Sequence, residues 1–161
     1  MSNVYLIEYK PEAYGVTYQP EYIRRMLIQY LESYNSSLDF GHIIEARNRV
    51  FGFACYAELM SEKGLNLILK DRRVLHLLYE HKFVMEQRLE YLAYFENHNA
   101  KIRKCFEDYN DIVDSALNIR NLALKYQING DEKIRNKIFN SLKEMMDKEK
   151  KILSEVVGLL S

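Results

Sequence analysis

Between Gly64 and Gly130 the sequence contains no glycine and no proline. A β-strand does not run for that length, and loops use both residues at their turns. The interval therefore predicts helix over most of its length. Both prolines of the chain, Pro11 and Pro20, lie in the first twenty residues, so we expect a different structure there.

Apolar residues recur every three or four positions along five stretches, the spacing of one buried helix face. Pro20 suits the first turn of a helix, and Gly64 suits the position just after one. A break is expected at residues 97–99, with one continuous helix through it as the alternative. The predicted helices cover residues 20–34, 38–63, 66–96, 100–129 and 131–160, with Asp71 as a competing start of the third.

The residues Asn129, Gly130 and Asp131 combine the signals for the end of one helix and the start of the next. Glycine adopts the left-handed conformation that often ends a helix, and aspartate caps the start of the following one. So short a connection makes the two helices antiparallel neighbours. The sequence therefore predicts an all-α fold, an up-and-down bundle of four or five helices in a single domain over residues 1–161.

The first eighteen residues have a different pattern. Tyrosine, isoleucine and valine alternate with other residues over residues 5–9 and again over residues 14–18. A period of two, rich in aromatic and β-branched side chains, is typical of strands. We expect a short β-hairpin or an extended arm at residues 1–18, followed by the bundle at residues 20–160.

Composition narrows the classes of function. The 161 residues include 23 basic and 23 acidic side chains, and this zero balance argues against a dedicated polyanion-binding protein. The sequence has no glycine-rich phosphate loop and no Cys-x-x-Cys, so we predict no cofactor. Two cysteines make no disulfide framework, and no signal peptide or membrane span is evident. A cytoplasmic protein that does not contact the membrane is the expectation.

Seven of the thirteen tyrosines lie within the first thirty-four residues. Tyrosine is common at protein interfaces because it offers a large contact area and a hydroxyl that tolerates water. We therefore predict a non-catalytic interaction module that self-associates or docks into a larger complex through this arm. Packing of the arm on its own bundle is the alternative. The predicted partner-binding residues are Tyr5, Tyr9, Tyr14, Tyr18 and Tyr22.

A second hypothesis is a small subunit of a nucleoprotein complex. Arg72 and Arg73 begin one predicted helix, and Arg103 and Lys104 lie near the start of the next. These four side chains are the candidate phosphate contacts. In antiparallel helices the two clusters lie at opposite ends of the bundle, so nucleic acid is expected only within a larger assembly that supplies further charge.

A third hypothesis is a metal-dependent hydrolase that uses the acidic row Asp108, Asp111 and Asp114. Carboxylates on one helix face do bind hard cations. Such sites normally face a second acidic helix, and an acidic stripe in the first half of a helix is also favoured by the helix dipole. We therefore expect a solvated face and predict no metal site, with these three aspartates as the candidates if one exists.

Overall fold

The computed structural model describes residues 17–39 and 49–160, and these two ranges contain helices but no β-strand. The predicted all-α class is confirmed, whereas the predicted hairpin or arm falls almost wholly outside the described residues. A 3-10 turn follows the first helix at Ser36–Asp39. The six α-helices of the described ranges are α1 (Pro20–Leu31), α2 (Ala54–Met60), α3 (Glu62–Lys70), α4 (Arg72–Phe95), α5 (Ala100–Asn129) and α6 (Glu132–Leu159).

The three long helices α4, α5 and α6 run up, down and up, and form the centre of the bundle. The Asn99 side chain caps α5, so α4 and α5 are separate helices. Gly130 has the predicted left-handed conformation (φ 65°) and Asp131 caps α6. The spacing predicted over residues 100–129 is confirmed, because seven residues at steps of three and four along α5 are buried: Ile102, Cys105, Tyr109, Ile112, Ala116, Ile119 and Ala123.

Helix α1 lies antiparallel to α6 and forms one side of the bundle. The Arg24 Nε donates to the carbonyl oxygen of Val157 at 3.3 Å, and Leu27 of α1 is buried in the core. The helix ends at Leu31 rather than at Tyr34, because Ser33 turns the chain with a left-handed backbone (φ 60°). The Ser33 hydroxyl then accepts from the backbone N–H of Ala54, at the start of α2.

The single helix predicted for residues 38–63 is wrong in its second half, while residues 40–48 lie outside the described ranges. Helix α2 begins only at Ala54, and Ser61 ends it by adopting an extended backbone (ψ 158°). The same serine caps α3, since its hydroxyl oxygen accepts from the N–H of Gly64. The described second half of that range therefore contains the short helix α2 and the first residues of α3.

Gly64 does not follow a helix, as the sequence suggested, but lies inside α3. A Cβ atom at this position would lie 1.8 Å from the carbonyl oxygen of Glu58 in α2. Glycine is needed here because the backbones of α2 and α3 approach too closely for any side chain. The range predicted for the third helix is divided: residues 66–70 belong to α3, and Asp71, the competing start, caps α4 through the N–H of Arg73.

Among the described helices, none has the length and apolarity needed to cross a membrane.

Candidate functional site

Five helices each contribute one polar side chain to the centre of the bundle. Tyr30 comes from α1, Tyr56 from α2, Lys82 from α4, Tyr109 from α5 and Glu149 from α6; we call these five residues the buried charge cluster. The side chains of Lys82 and Glu149 are 1% and 0% exposed. An ion pair buried this deeply is rare and requires full hydrogen bonding.

Glu149 accepts from every other member of the buried charge cluster. The Lys82 ammonium donates to both carboxylate oxygens, at 2.8 and 3.0 Å. The Tyr56 hydroxyl donates to Oε2 at 2.6 Å, and the Tyr109 hydroxyl donates to Oε1. The Tyr30 hydroxyl accepts from Lys82 at 2.9 Å and donates weakly to the carboxylate at 3.4 Å. Both charges are therefore fully hydrogen-bonded.

Burial and the carboxylate charge dominate the electrostatics of the buried charge cluster. Burial lowers the pKa of Lys82, and the nearby Glu149 carboxylate opposes that shift. Burial and the same carboxylate raise the pKa values of Tyr30, Tyr56 and Tyr109 well above the usual value of 10.0. The ammonium also lies 4.8 Å from the centre of the Tyr56 ring, a favourable cation–π distance.

The geometry of the buried charge cluster is that of a structural anchor. Its two charged groups have almost no exposed surface, so a substrate has no access to them. What the cluster does is fix the positions of α1, α2, α4, α5 and α6 relative to one another, because Glu149 can bind all its donors in one arrangement only. Tyr30 lies on α1 and belongs to the buried charge cluster, so the cluster also fixes the position of α1.

A groove lies between α1 and α4, with a volume of about 670 Å³. This volume is within the range of pockets that bind ligands or peptide side chains. Eighteen of the described residues line it, most of them apolar or aromatic. Leu27, Met85 and Leu89 of the hydrophobic core form part of its lining, and the buried charge cluster meets it at Tyr30. We call this the α1–α4 groove.

Large apolar side chains of the α1–α4 groove are exposed to solvent. Tyr22 is 47% exposed, Val84 44%, Tyr91 43% and Tyr34 40%. Single exposed apolar residues are ordinary, but a set that lines one groove marks a surface on which another group binds.

Three polar groups of the α1–α4 groove have unusual surroundings. The Gln29 Nε2 donates to Asp39 at 2.7 Å, but its Oε1 is buried and accepts no hydrogen bond. Arg88 has no acidic partner among the described residues. His81 stacks on the Tyr30 ring, with 5.4 Å between the ring centres. Among the described residues, the groove lining thus includes a buried acceptor without a donor and a cation without an acidic partner.

The predicted partner-binding tyrosines have different positions. Tyr5, Tyr9 and Tyr14 lie outside the described residues. Tyr18 packs on its own bundle, where its ring stacks on Phe95 at 4.8 Å and its hydroxyl donates to Glu96. Tyr22 lines the α1–α4 groove and is among its most exposed residues.

The candidate phosphate contacts do not form one surface. Arg72 and Arg73 lie at the start of α4, whereas Arg103 and Lys104 lie at the start of α5. The length of α4 separates the two pairs by about 35 Å. Arg73 also forms an ion pair with Asp71 at 2.7 Å.

The candidate metal-binding aspartates, Asp108, Asp111 and Asp114, are exposed on α5. Asp111 lies 4.0 Å from Lys148 of α6, so its neighbour is a cation rather than a second carboxylate. Within residues 17–39 and 49–160, no three histidine, cysteine or acidic side chains come close enough to hold one metal ion.

Comparison with protein families, with curated sequences and with solved structures found no significant match for this chain. The functional argument therefore rests on the buried charge cluster and the α1–α4 groove alone.

Proposed function

We propose that this chain is a non-catalytic interaction module that self-associates through its tyrosine-rich N-terminal segment and the α1–α4 groove. The observation that carries the proposal is an apolar groove with exposed aromatic residues beside the point where residues 1–16 join the bundle. Tyr18 marks that point, because it is fixed to Phe95 at the end of α4.

The chemistry of the groove favours binding over catalysis. Besides its tyrosines, the titratable side chains along its described lining are His81 and Arg88, with no carboxylate among them. General acid–base chemistry normally needs two groups of matched pKa near the reacting atoms. A surface of tyrosine, methionine and aliphatic side chains instead resembles the core of a protein interface in composition.

The same proposal includes a reducing, cytoplasmic location. Cys55 and Cys105 are both free thiols. Burial raises the pKa of Cys105 to about 11, so at neutral pH it stays a protonated, unreactive thiol. Free cysteines of this kind are typical of proteins that work where disulfides do not form.

The test is the molar mass of the full chain in solution, measured by light scattering over a series of concentrations. We expect a dimer for the wild type and a monomer for the arm variant, which combines Tyr5→Ser, Tyr9→Ser and Tyr14→Ser. Tyr94→Ser is the matched control, since Tyr94 is 71% exposed but does not line the groove. An arm variant that associates as strongly as the wild type would contradict the proposed function.

A further inference from the structure

We propose that a second groove, between α5 and α6, binds a short chain of linked phosphate groups, such as inorganic triphosphate or the triphosphate of a nucleotide. This α5–α6 groove has a volume of about 510 Å³, which is within the range of small-molecule sites. It shares no described lining residue with the α1–α4 groove. The proposal is therefore independent of the proposed function.

The helices of the α5–α6 groove have an uneven distribution of charge. Residues 115–129 of α5 and 133–143 of α6 contain six basic side chains and no aspartate or glutamate, in a chain with 23 residues of each sign. The two helices are antiparallel neighbours, so these two stretches lie side by side next to the turn at Gly130. Positive charge therefore accumulates here, although the chain as a whole is neutral.

Two of the six basic side chains line the groove without an acidic partner. Lys125 of α5 and Lys137 of α6 form no ion pair with any described residue. The residues three and four positions away from each lysine, on its own helix, also include no carboxylate. Two cations on one groove repel each other, and an anion that contacts both removes that repulsion.

Uncharged donors complete the lining of the same half of the groove. The amides of Asn118 and Asn121 and the hydroxyl of Ser141 line it, and within the described part of the chain these side chains form no hydrogen bond. Lysine together with amide and hydroxyl side chains is a donor set that commonly contacts phosphate oxygens. The chemistry of the lining therefore favours a phosphate ligand.

The far end of the α5–α6 groove limits the length of the ligand. Lys148 lies 4.0 Å from Asp111 there, and Glu144 lines the same end. These two carboxylates offset the charge of Lys148 and repel an anion. The cationic half extends along α5 from Asn118 to Lys125, about 10 Å. That length suits a few linked phosphates rather than a long polyanion, which would continue past the carboxylates.

The described lining of the α5–α6 groove includes no aromatic side chain. Proteins that bind unpaired nucleotides usually stack the bases on aromatic rings, and this groove offers none. Recognition therefore depends on the phosphates. ATP and inorganic triphosphate should bind with similar affinity, and single-stranded DNA should bind more weakly than either.

The experiment uses full-length chains and isothermal titration calorimetry with inorganic triphosphate. The lysine variant is Lys125→Gln/Lys137→Gln, which removes both unpaired cations from the groove. Its matched control is Lys143→Gln/Lys150→Gln, which removes the same charge from two exposed positions of α6 outside the groove lining. Circular dichroism and urea unfolding verify that both variants keep the bundle.

We expect the wild type and the control variant to bind one triphosphate per chain with similar affinity. The lysine variant should bind it more weakly by on the order of tenfold or more, because two charge-assisted contacts are lost. In NMR spectra of the wild type, triphosphate should shift the backbone amide signals of residues 118–125 and 137–141 most strongly.

Four results would overturn the proposal. Equal losses of affinity in the lysine variant and its control would mean a general attraction to basic surface. Inorganic phosphate that binds as tightly as triphosphate would mean an adventitious ion only. Single-stranded DNA that binds more tightly than triphosphate would identify a nucleic-acid backbone as the ligand instead. A wild type that shows neither heat nor amide shifts with triphosphate has no such site.

Discussion

The Nζ of Lys82 lies 2.8 Å from Oε2 of Glu149, although 67 residues separate them along the chain. The pair joins α4 to α6, and hydroxyls from three further helices complete its hydrogen bonding. One of these, Tyr30, connects α1 to the pair. The buried charge cluster therefore sets the position of the helix that forms one wall of the α1–α4 groove.

Removing one charge of the buried pair should be strongly destabilising. We expect Lys82→Met to lower the free energy of unfolding by about 3–5 kcal/mol, because it leaves the Glu149 carboxylate buried without its cation. Urea unfolding measures the change. The exposed pair Lys148 and Asp111 gives the control: Lys148→Met should change stability by less than about 1 kcal/mol.

Removing both charges should recover much of the stability that Lys82→Met loses. In Lys82→Met/Glu149→Gln, the neutral amide oxygen still accepts from Tyr56 or Tyr109, and no unpaired charge is buried. We expect the double variant to be more stable than Lys82→Met alone, with a coupling energy on the order of 2 kcal/mol. Additive losses in the double variant would mean that the two charges do not interact.

The pH dependence of stability should be governed by the buried tyrosines. The pKa values of Tyr30, Tyr56 and Tyr109 are raised above 10.0 in the folded chain. Above that pH the unfolded chain loses these protons and the folded chain keeps them, so stability falls as the pH rises. Lys82 has a lowered pKa and acts in the opposite direction, but only below its usual value of 10.5.

Urea unfolding between about pH 9 and about pH 11.5 checks this expectation. Tyr109→Phe removes one of the three hydroxyls, so the loss of stability per pH unit should be smaller than in the wild type. An equal slope in the two proteins would show that Tyr109 ionises in the folded chain, contrary to its burial beside Glu149.

The connection between α5 and α6 should require glycine. Gly130 has a φ of 65°, and a Cβ atom there would meet no other atom within 4 Å. The cost of Gly130→Val is therefore backbone strain, which we expect to be at least about 1 kcal/mol. Gly158→Ala is the control, because a Cβ atom there also meets nothing and its backbone is helical. This second change should be neutral or slightly stabilising; equal losses in both variants would contradict the account.

The sequence predicted the elements that depend on local patterns. The steps of three and four from Ile102 to Ala123 identified the buried face of α5, and Gly130 identified the turn after it. The sequence predicted a break near Gly64, but the actual position of the break at Ser61 could not be predicted in this way. It depends on Ser61 and on the close approach of α3 to Glu58, a contact that no periodicity reveals.

The sequence contains a sign of the buried charge cluster, but this sign can be recognised only once the structure is known. Lys82 falls between Leu75 and Met85 in the buried row of α4, and Glu149 falls between Met145 and Leu153 in that of α6. Each charge thus occupies a core position of its helix. Which partner it meets depends on how the helices pack, and the sequence does not encode that as a local pattern. The groove also arises from packing, since α1 contacts α6 along its length and leaves part of α4 uncovered.

The most direct test of association through the α1–α4 groove is isotope-filtered NMR on a mixture of two chains. One chain carries labelled methyl groups on methionine and valine, and the other is unlabelled. We expect contacts between aromatic protons of the unlabelled chain and the methyl groups of Met26 and Val84, which line the groove. If the dimer is populated and these methyl groups receive no signal from the second chain, the groove is not the interface.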